Sequence, residues 1–321
     1  FIKKIKMNNV NKNEIVKEIF KLKKSKNAII LAHYYQDSEI QDIADFIGDS
    51  FALSEKALKT DAKIIIFAGV LFMAETAKIL NPTKKVILPD MEAGCSLADS
   101  CKYEDFKKFV DDHPNYKVIS YINCSAAVKT ISDIICTSSN AIDIVNYFPK
   151  EQKLIFAPDK NLGSYINSIT GRNMLLWNGV CDVHDQLKTE AVVKLKIENP
   201  DAELVAHPEC KAVILELADY IGSTSAMLKY TMKSNAKKFI VATESGILHQ
   251  MIKNSPDKEF LIVPSDDTCN CNNCHFMKKI TLEKIYYSLL NEQPEIMLSE
   301  HIIQSAKKPI MKMIEITEKL K

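Results

Sequence analysis

The chain has 321 residues, 46% of them hydrophobic, with 42 basic and 41 acidic side chains and a net charge of +1. That length divides into two or three compact units rather than one core, and the hydrophobic share is ample for burying them. A near-zero charge gives no global attraction to nucleic acid or to an anionic membrane, so a small-molecule partner is expected.

The basic stretch Phe1–Met7 runs into polar Asn8–Lys12 instead of an apolar segment, so no secretory signal is read there. The longest strongly apolar run, Ile64–Ala74, is interrupted by Gly69 and falls well short of the ~18 residues that suggest a membrane span. A soluble, cytoplasmic protein is expected. Nine dispersed cysteines in that reducing compartment are not a disulfide framework, and most should be small buried hydrophobes.

In chain order, a Lys-rich amphipathic helix around Glu14–Lys24 is followed by short β-branched runs alternating with helical segments. This is the pattern of parallel strands joined by crossover helices. The strand candidates are Ala28–His33, Lys63–Ala68, Lys85–Pro89, Lys117–Ile122, Lys153–Ala157, Asn173–Trp177, Glu203–His207, Lys238–Ala242 and Glu259–Pro264.

The series repeats. His33, Tyr121 and His207 end corresponding strands, 88 and 86 residues apart. The blocks beginning at Asp45, Asp133 and Asp219 keep that offset, and the strands ending at Ala68, Ala157 and Ala242 follow it to within one residue. Each repeat closes on a strand leading to cysteine: Cys95, Cys181 and the cluster Cys269-Asn-Cys-Asn-Asn-Cys274. Self-similarity at this period predicts three homologous α/β domains, each a three-layer αβα unit with a parallel sheet, in pseudo-threefold arrangement around a central site. The divisions are 1–26 for the opening helix, 27–100, 101–185 and 186–275 for the repeats, and 276–321 for C-terminal helices packing back on the first repeat.

Sites in α/β sheets lie at the carboxyl ends of strands. There the repeats carry polar pairs at i and i+2, hence on one strand face: His33 with Tyr35, Tyr121 with Asn123, His207 with Glu209. The imidazoles and phenols suit proton transfer, with Glu209 as a general base. Ser50, Ser138 and Ser223-Thr224 each follow a short apolar strand and open a helix, where they either hold an anion or simply cap the helix. His184, three residues after Cys181, is placed to orient a substrate.

Three thiolates at a shared axis would hold a [4Fe–4S] cluster with one iron open as a Lewis acid. Zinc needs a fourth good ligand if structural, and inert buried thiols are the remaining alternative. Cys101, Cys124, Cys136 and Cys210 are read as buried, and no glycine-rich nucleotide motif appears.

From about Ile29 to Met313 the chain resembles the quinolinate synthase family. The likeness runs through Leu31-Ala-His-Tyr-Tyr-Gln36, Asp42-Ile-Ala-Asp45, Gly48-Asp-Ser50, Phe72-Met-Ala-Glu75, Tyr121-Ile-Asn123, Cys136-Thr-Ser138, Pro158-Asp-Lys-Asn-Leu-Gly163, Val205-Ala-His-Pro-Glu-Cys210, Gly222-Ser-Thr224 and Lys307-Lys-Pro309. The resemblance implies three α/β domains around a [4Fe–4S] cluster. It also implies condensation of iminoaspartate with dihydroxyacetone phosphate to quinolinate, with loss of phosphate and two waters, and a functional link to the enzyme supplying iminoaspartate. Carried over residue by residue, it puts the cluster ligands on Cys95, Cys181 and Cys274. Substrate binding falls on His33, Ser50, Tyr121, Asn123, Ser138, His184, His207, Glu209, Ser223 and Thr224, and catalysis on Tyr35, Tyr121, His207 and Glu209. Some relatives have Cys-x-x-Cys-x-x-Cys at the last cluster; here the first pair is Cys269-x-Cys271, which speaks against a redox switch. Two other classes stay open: another hydro-lyase using the same cluster on a small dicarboxylate, and a zinc-knuckle binding protein.

Overall fold

The computed structural model describes residues 12–265 and 272–320. Twelve strands are described, forming three four-stranded parallel sheets. The first holds β1 (Ala28–His33), β2 (Phe46–Gly48), β3 (Ile64–Ala68) and β4 (Lys85–Ile87); the second holds β5 (Lys117–Tyr121), β6 (Ile134–Cys136), β7 (Leu154–Ala157) and β8 (Leu175–Leu176). The third holds β9 (Glu203–Ala206), β10 (Tyr220–Ile221), β11 (Lys238–Ala242) and β12 (Glu259–Ile262). All three have the same order, second-first-third-fourth, so the expected three α/β units are present.

The central strands are nearly continuous apolar runs, Ala-Ile-Ile-Leu-Ala in β1 and Ile-Ile-Ile-Phe-Ala in β3, because helices cover both sheet faces. The edge strands β2, β6 and β10 are only two or three residues long. An aspartate at the head of each holds it in place. Asp45, Asp133 and Asp219 accept from the backbone N–H of Ile30, Val118 and Leu204 at 2.7, 2.8 and 2.7 Å, and donate their own N–H to the same residues' carbonyls. This reciprocal contact explains why the three aspartates keep one offset from the central strand.

The units are not equivalent in packing. One apolar core runs through the first two units and the C-terminal helices, whereas the third unit has two smaller cores of its own. Helix Leu282–Asn291 packs on helix Lys12–Lys26 and β3. Helix Glu300–Leu320 reaches beyond the first repeat: besides helix Leu71–Leu80 it packs on helices Ala126–Thr130 and Ala141–Tyr147 and on β6 of the second unit. At 21 residues it is about 31 Å long, enough to span two units.

At the centre, Asp49 ties the three units together. Its Oδ1 caps helix Ser50–Lys59 by accepting from Ala52 N–H at 3.0 Å. Its Oδ2 accepts from Ser139 Oγ of the second unit at 3.1 Å and from Ser223 Oγ of the third at 3.2 Å. Asp49→Ala is expected to cost about 2–4 kcal/mol, a lost cap plus two charge-assisted hydrogen bonds. Chemical denaturation measures this, and a loss under ~1 kcal/mol would show that the contact is no tie.

Candidate active site

In each sheet the strand order reverses between the first and third strands, and that switch point is where α/β sheets place ligands. The three switch points open onto one cavity. Every residue expected at the site lines it except Ser223, which sits behind the wall as the cap of helix Thr224–Lys233. Ser50 and Thr224 are the first residues of their helices. Ser138 does not open a helix: Thr137 N–H and Oγ1 both donate to Asn140 Oδ1, closing a turn that delays helix Ala141–Tyr147 until after Asn140.

Cys95 and Cys181 stand at the cap positions of the short helices Ser96–Asp99 and Asp182–Asp185, and Cys274 precedes a 3₁₀ turn. Among the described cysteines these three are partly exposed, while Cys101, Cys124, Cys136 and Cys210 are buried. Cys269 and Cys271 lie outside the described residues. Burial pushes all three lining thiols above their ordinary range, Cys274 to about 11, while N–H groups of Ala98 at Cys95 and of Met277 at Cys274 pull the other way.

Two histidines repeat one local geometry. Tyr35 N–H donates to His33 Nδ1 at 3.2 Å, and Glu209 N–H donates to His207 Nδ1 at 3.4 Å. Burial pushes His33 down to about 4 and His207 down to about 3, so both are neutral at neutral pH. With Nδ1 an acceptor, each carries its proton on Nε2.

The closest imidazole to Glu209 is His184 rather than the neighbouring His207. His184 Nδ1 lies 2.9 Å from Glu209 Oε2 and 3.2 Å from Cys181 Sγ, whereas His207 Nδ1 is 3.9 Å from Glu209 Oε1. Tyr121 OH donates to Glu209 Oε1 at 2.5 Å. Burial alone would raise the Glu209 carboxyl; the His207 and His184 imidazoles and the hydrogen bonds from His184 and Tyr121 outweigh it and hold the carboxyl well below its usual range. Burial and the Glu209 charge push Tyr121 and Tyr35 up, so both phenols stay protonated. Asn123 Oδ1 is buried with no hydrogen-bond partner among the described residues, an acceptor waiting for a ligand donor.

Several residues escaped the sequence reading. His275 lines the cavity beside Phe276, and Phe72 and Met73 form an apolar wall. Glu244 is buried and holds the Cys274 segment: Oε1 accepts from Cys274 N–H at 3.1 Å and from Lys278 Nζ at 3.1 Å. Lys278 Nζ also donates to Tyr35 O at 2.8 Å. Thr243, fully buried, links His184 to Tyr35. Extending the alignment of Ala68, Ala157 and Ala242 by two residues would have marked Thr243 and Glu244 as strand-end positions.

A three-unit α/β protein whose switch points share one cavity of thiols, imidazoles, phenols and a buried carboxylate has the architecture of an enzyme. Residues 17–315 match the family described as NadA: Quinolinate synthetase A protein. The chain is 56% identical over 313 residues to a quinolinate synthase of Trichodesmium erythraeum, covering 96% of this chain and 97% of that relative. It is 55% identical over 311 residues to one of Chloroherpeton thalassium (97% of each) and 57% over 296 residues to one of Nostoc punctiforme (92% and 91%). The chain belongs to the quinolinate synthetase A family. Among the described residues no helix is long and apolar enough to cross a membrane.

Proposed function

We propose that this enzyme condenses iminoaspartate with dihydroxyacetone phosphate to quinolinate, releasing phosphate and two waters, with a [4Fe–4S] cluster held by Cys95, Cys181 and Cys274. The observation that carries this reading is the convergence of three thiols, one per unit, on a single cavity while the other described cysteines are buried. The donor set fits the cluster: soft thiols, backbone N–H groups aimed at two of the sulfurs, and an apolar wall of Phe72, Met73, Phe276 and Met277. When bound, the cluster supplies a Lewis-acidic iron that polarises a substrate oxygen.

In this reading the remaining work belongs to the chain. Among the described residues no lysine or arginine lines the cavity, so substrate anions are held by hydroxyls and helix N-termini at Ser50 and Thr224, with Ser138 opposite and Ser223 behind. The Nε2–H groups of His33 and His207 donate to substrate oxygens, and Asn123 Oδ1 accepts from a substrate N–H or O–H. Glu209, kept ionised by Tyr121 and His184, removes a proton during isomerisation and dehydration. Tyr35 and Tyr121 position the intermediate. We place the enzyme in the cytoplasm, functionally linked to the enzyme that supplies iminoaspartate, without nucleic-acid or membrane partners.

A second reading has one observation in its favour: ligand atoms of Cys181, His184 and Glu209 lie within 4.8 Å of one another, a set suited to a single zinc ion. Anaerobically purified protein supplied with iminoaspartate and dihydroxyacetone phosphate is expected to form quinolinate and to contain iron and sulfide. Zinc without sulfide, and no product, would overturn the reading.

A further inference from the structure

Tyr35 OH lies 2.7 Å from Thr243 Oγ1, and Thr243 Oγ1 lies 2.9 Å from His184 Nε2. The other face of His184, Nδ1, meets Glu209 Oε2 at 2.9 Å. These groups form one buried chain across all three units, with Tyr35 from the first, His184 from the second, and Thr243 and Glu209 from the third. Thr243 Oγ1 stands between the Tyr35 hydroxyl and the His184 ring, and the Tyr35 oxygen also lies 3.2 Å from Thr224 Oγ1 while lining the cavity.

We infer that Thr243 is a positioning residue whose hydroxyl ties Tyr35 to His184 and so fixes the orientation in which the Tyr35 phenol faces the substrate. Three contacts hold the link taut. Asn272 Nδ2 donates to Thr243 O at 3.0 Å, and the His33 ring packs edge-on against Tyr35 with centroids 4.5 Å apart. Gly246 lets the loop after Thr243 close on Tyr35, since a Cβ there would come within 2.8 Å of the Tyr35 backbone. The inference rests on the proposed reaction for its kinetic consequence only.

The test compares Thr243→Val, which keeps shape and removes the hydroxyl, with Thr243→Ser, which keeps it. Thr243→Val is expected to lower kcat by roughly 10–100-fold with KM little changed, because a catalytic group out of position costs on that order. Thr243→Ser should stay within ~3-fold of wild type, and iron and sulfide content should be equal in all. In a Tyr35→Phe background Thr243→Val should add less than ~3-fold, since the two act as one unit. Equal losses in both backgrounds, or a Thr243→Val enzyme as fast as wild type, would overturn the inference. Infrared spectroscopy separates this from the choice of reaction. The phenol C–O stretch that disappears in Tyr35→Phe should shift in Thr243→Val and not in Thr243→Ser, and an unshifted band in Thr243→Val overturns the inference whatever the enzyme makes.

Discussion

Cys95→Ala, Cys181→Ala and Cys274→Ala, each made singly, are expected to lose cluster iron and sulfide and to reduce quinolinate formation to background. The three thiols come from three units and share one cavity, so no neighbour replaces a missing one: the remaining described cysteines are buried and do not line it. Cys101→Ala, which removes a thiol from the second unit's core, should keep iron and sulfide and cost only the roughly 1–2 kcal/mol of a small cavity. Iron and sulfide analysis of anaerobically purified variants reads the difference. A full cluster in any of the three lining variants would remove that cysteine from the ligand set. Loss of cluster in Cys101→Ala as well would mean that folding, and not ligation, is being measured.

Glu209→Gln is expected to lower kcat by about 10²–10⁴-fold, the usual share of a general base, with the cluster intact and little loss of thermal stability. Glutamine matches the carboxylate in size and can still accept from Tyr121 OH. One of its two terminal atoms is an N–H₂ donor, so it cannot accept from both Tyr121 and His184 with separate oxygens, and the negative charge that both groups serve is gone. Turnover near wild type with normal iron content would take Glu209 out of the proton-transfer role. A collapse of stability would instead point to the buried pairing with His184 and Tyr121 as a structural element, because removing one member of a buried pair leaves the others unsatisfied.

Much of the fold was legible because its physical causes are local. Buried parallel strands must be apolar along their whole length, so β1, β3 and β11 stood out as β-branched runs. Residues at i and i+2 of a strand end share a face whatever surrounds them, so the pairs His33/Tyr35, Tyr121/Asn123 and His207/Glu209 could be listed together. The recurrence of Asp45, Asp133 and Asp219 at one offset has the same origin, since each aspartate bonds to a strand 15 residues earlier within its own unit.

What was not legible depends on contacts between units. Ser138 aligned with Ser50 in sequence, yet the side chain of Asn140 two residues later folds the chain into a turn there. Glu209 has His207 as a near neighbour in sequence, but the backbone N–H of Glu209 occupies the facing His207 nitrogen, and the carboxylate turns to His184 and Tyr121 instead. Thr243 has no motif of its own; it matters because Gly246 brings its loop against Tyr35. Helix Glu300–Leu320 is amphipathic in any setting, and only packing shows that it bridges two units.

The amino-acid sequence by itself therefore determined three α/β units and the set of side chains at their strand ends, since periodicity and repeat spacing act within one unit. Which of those side chains share a proton and how Asp49 locks the units together were decided by tertiary structure alone. The reason is one of range: a strand enforces its pattern over a few residues, whereas a hydrogen bond between Tyr121 and Glu209, 88 residues apart, exists only once two units have docked.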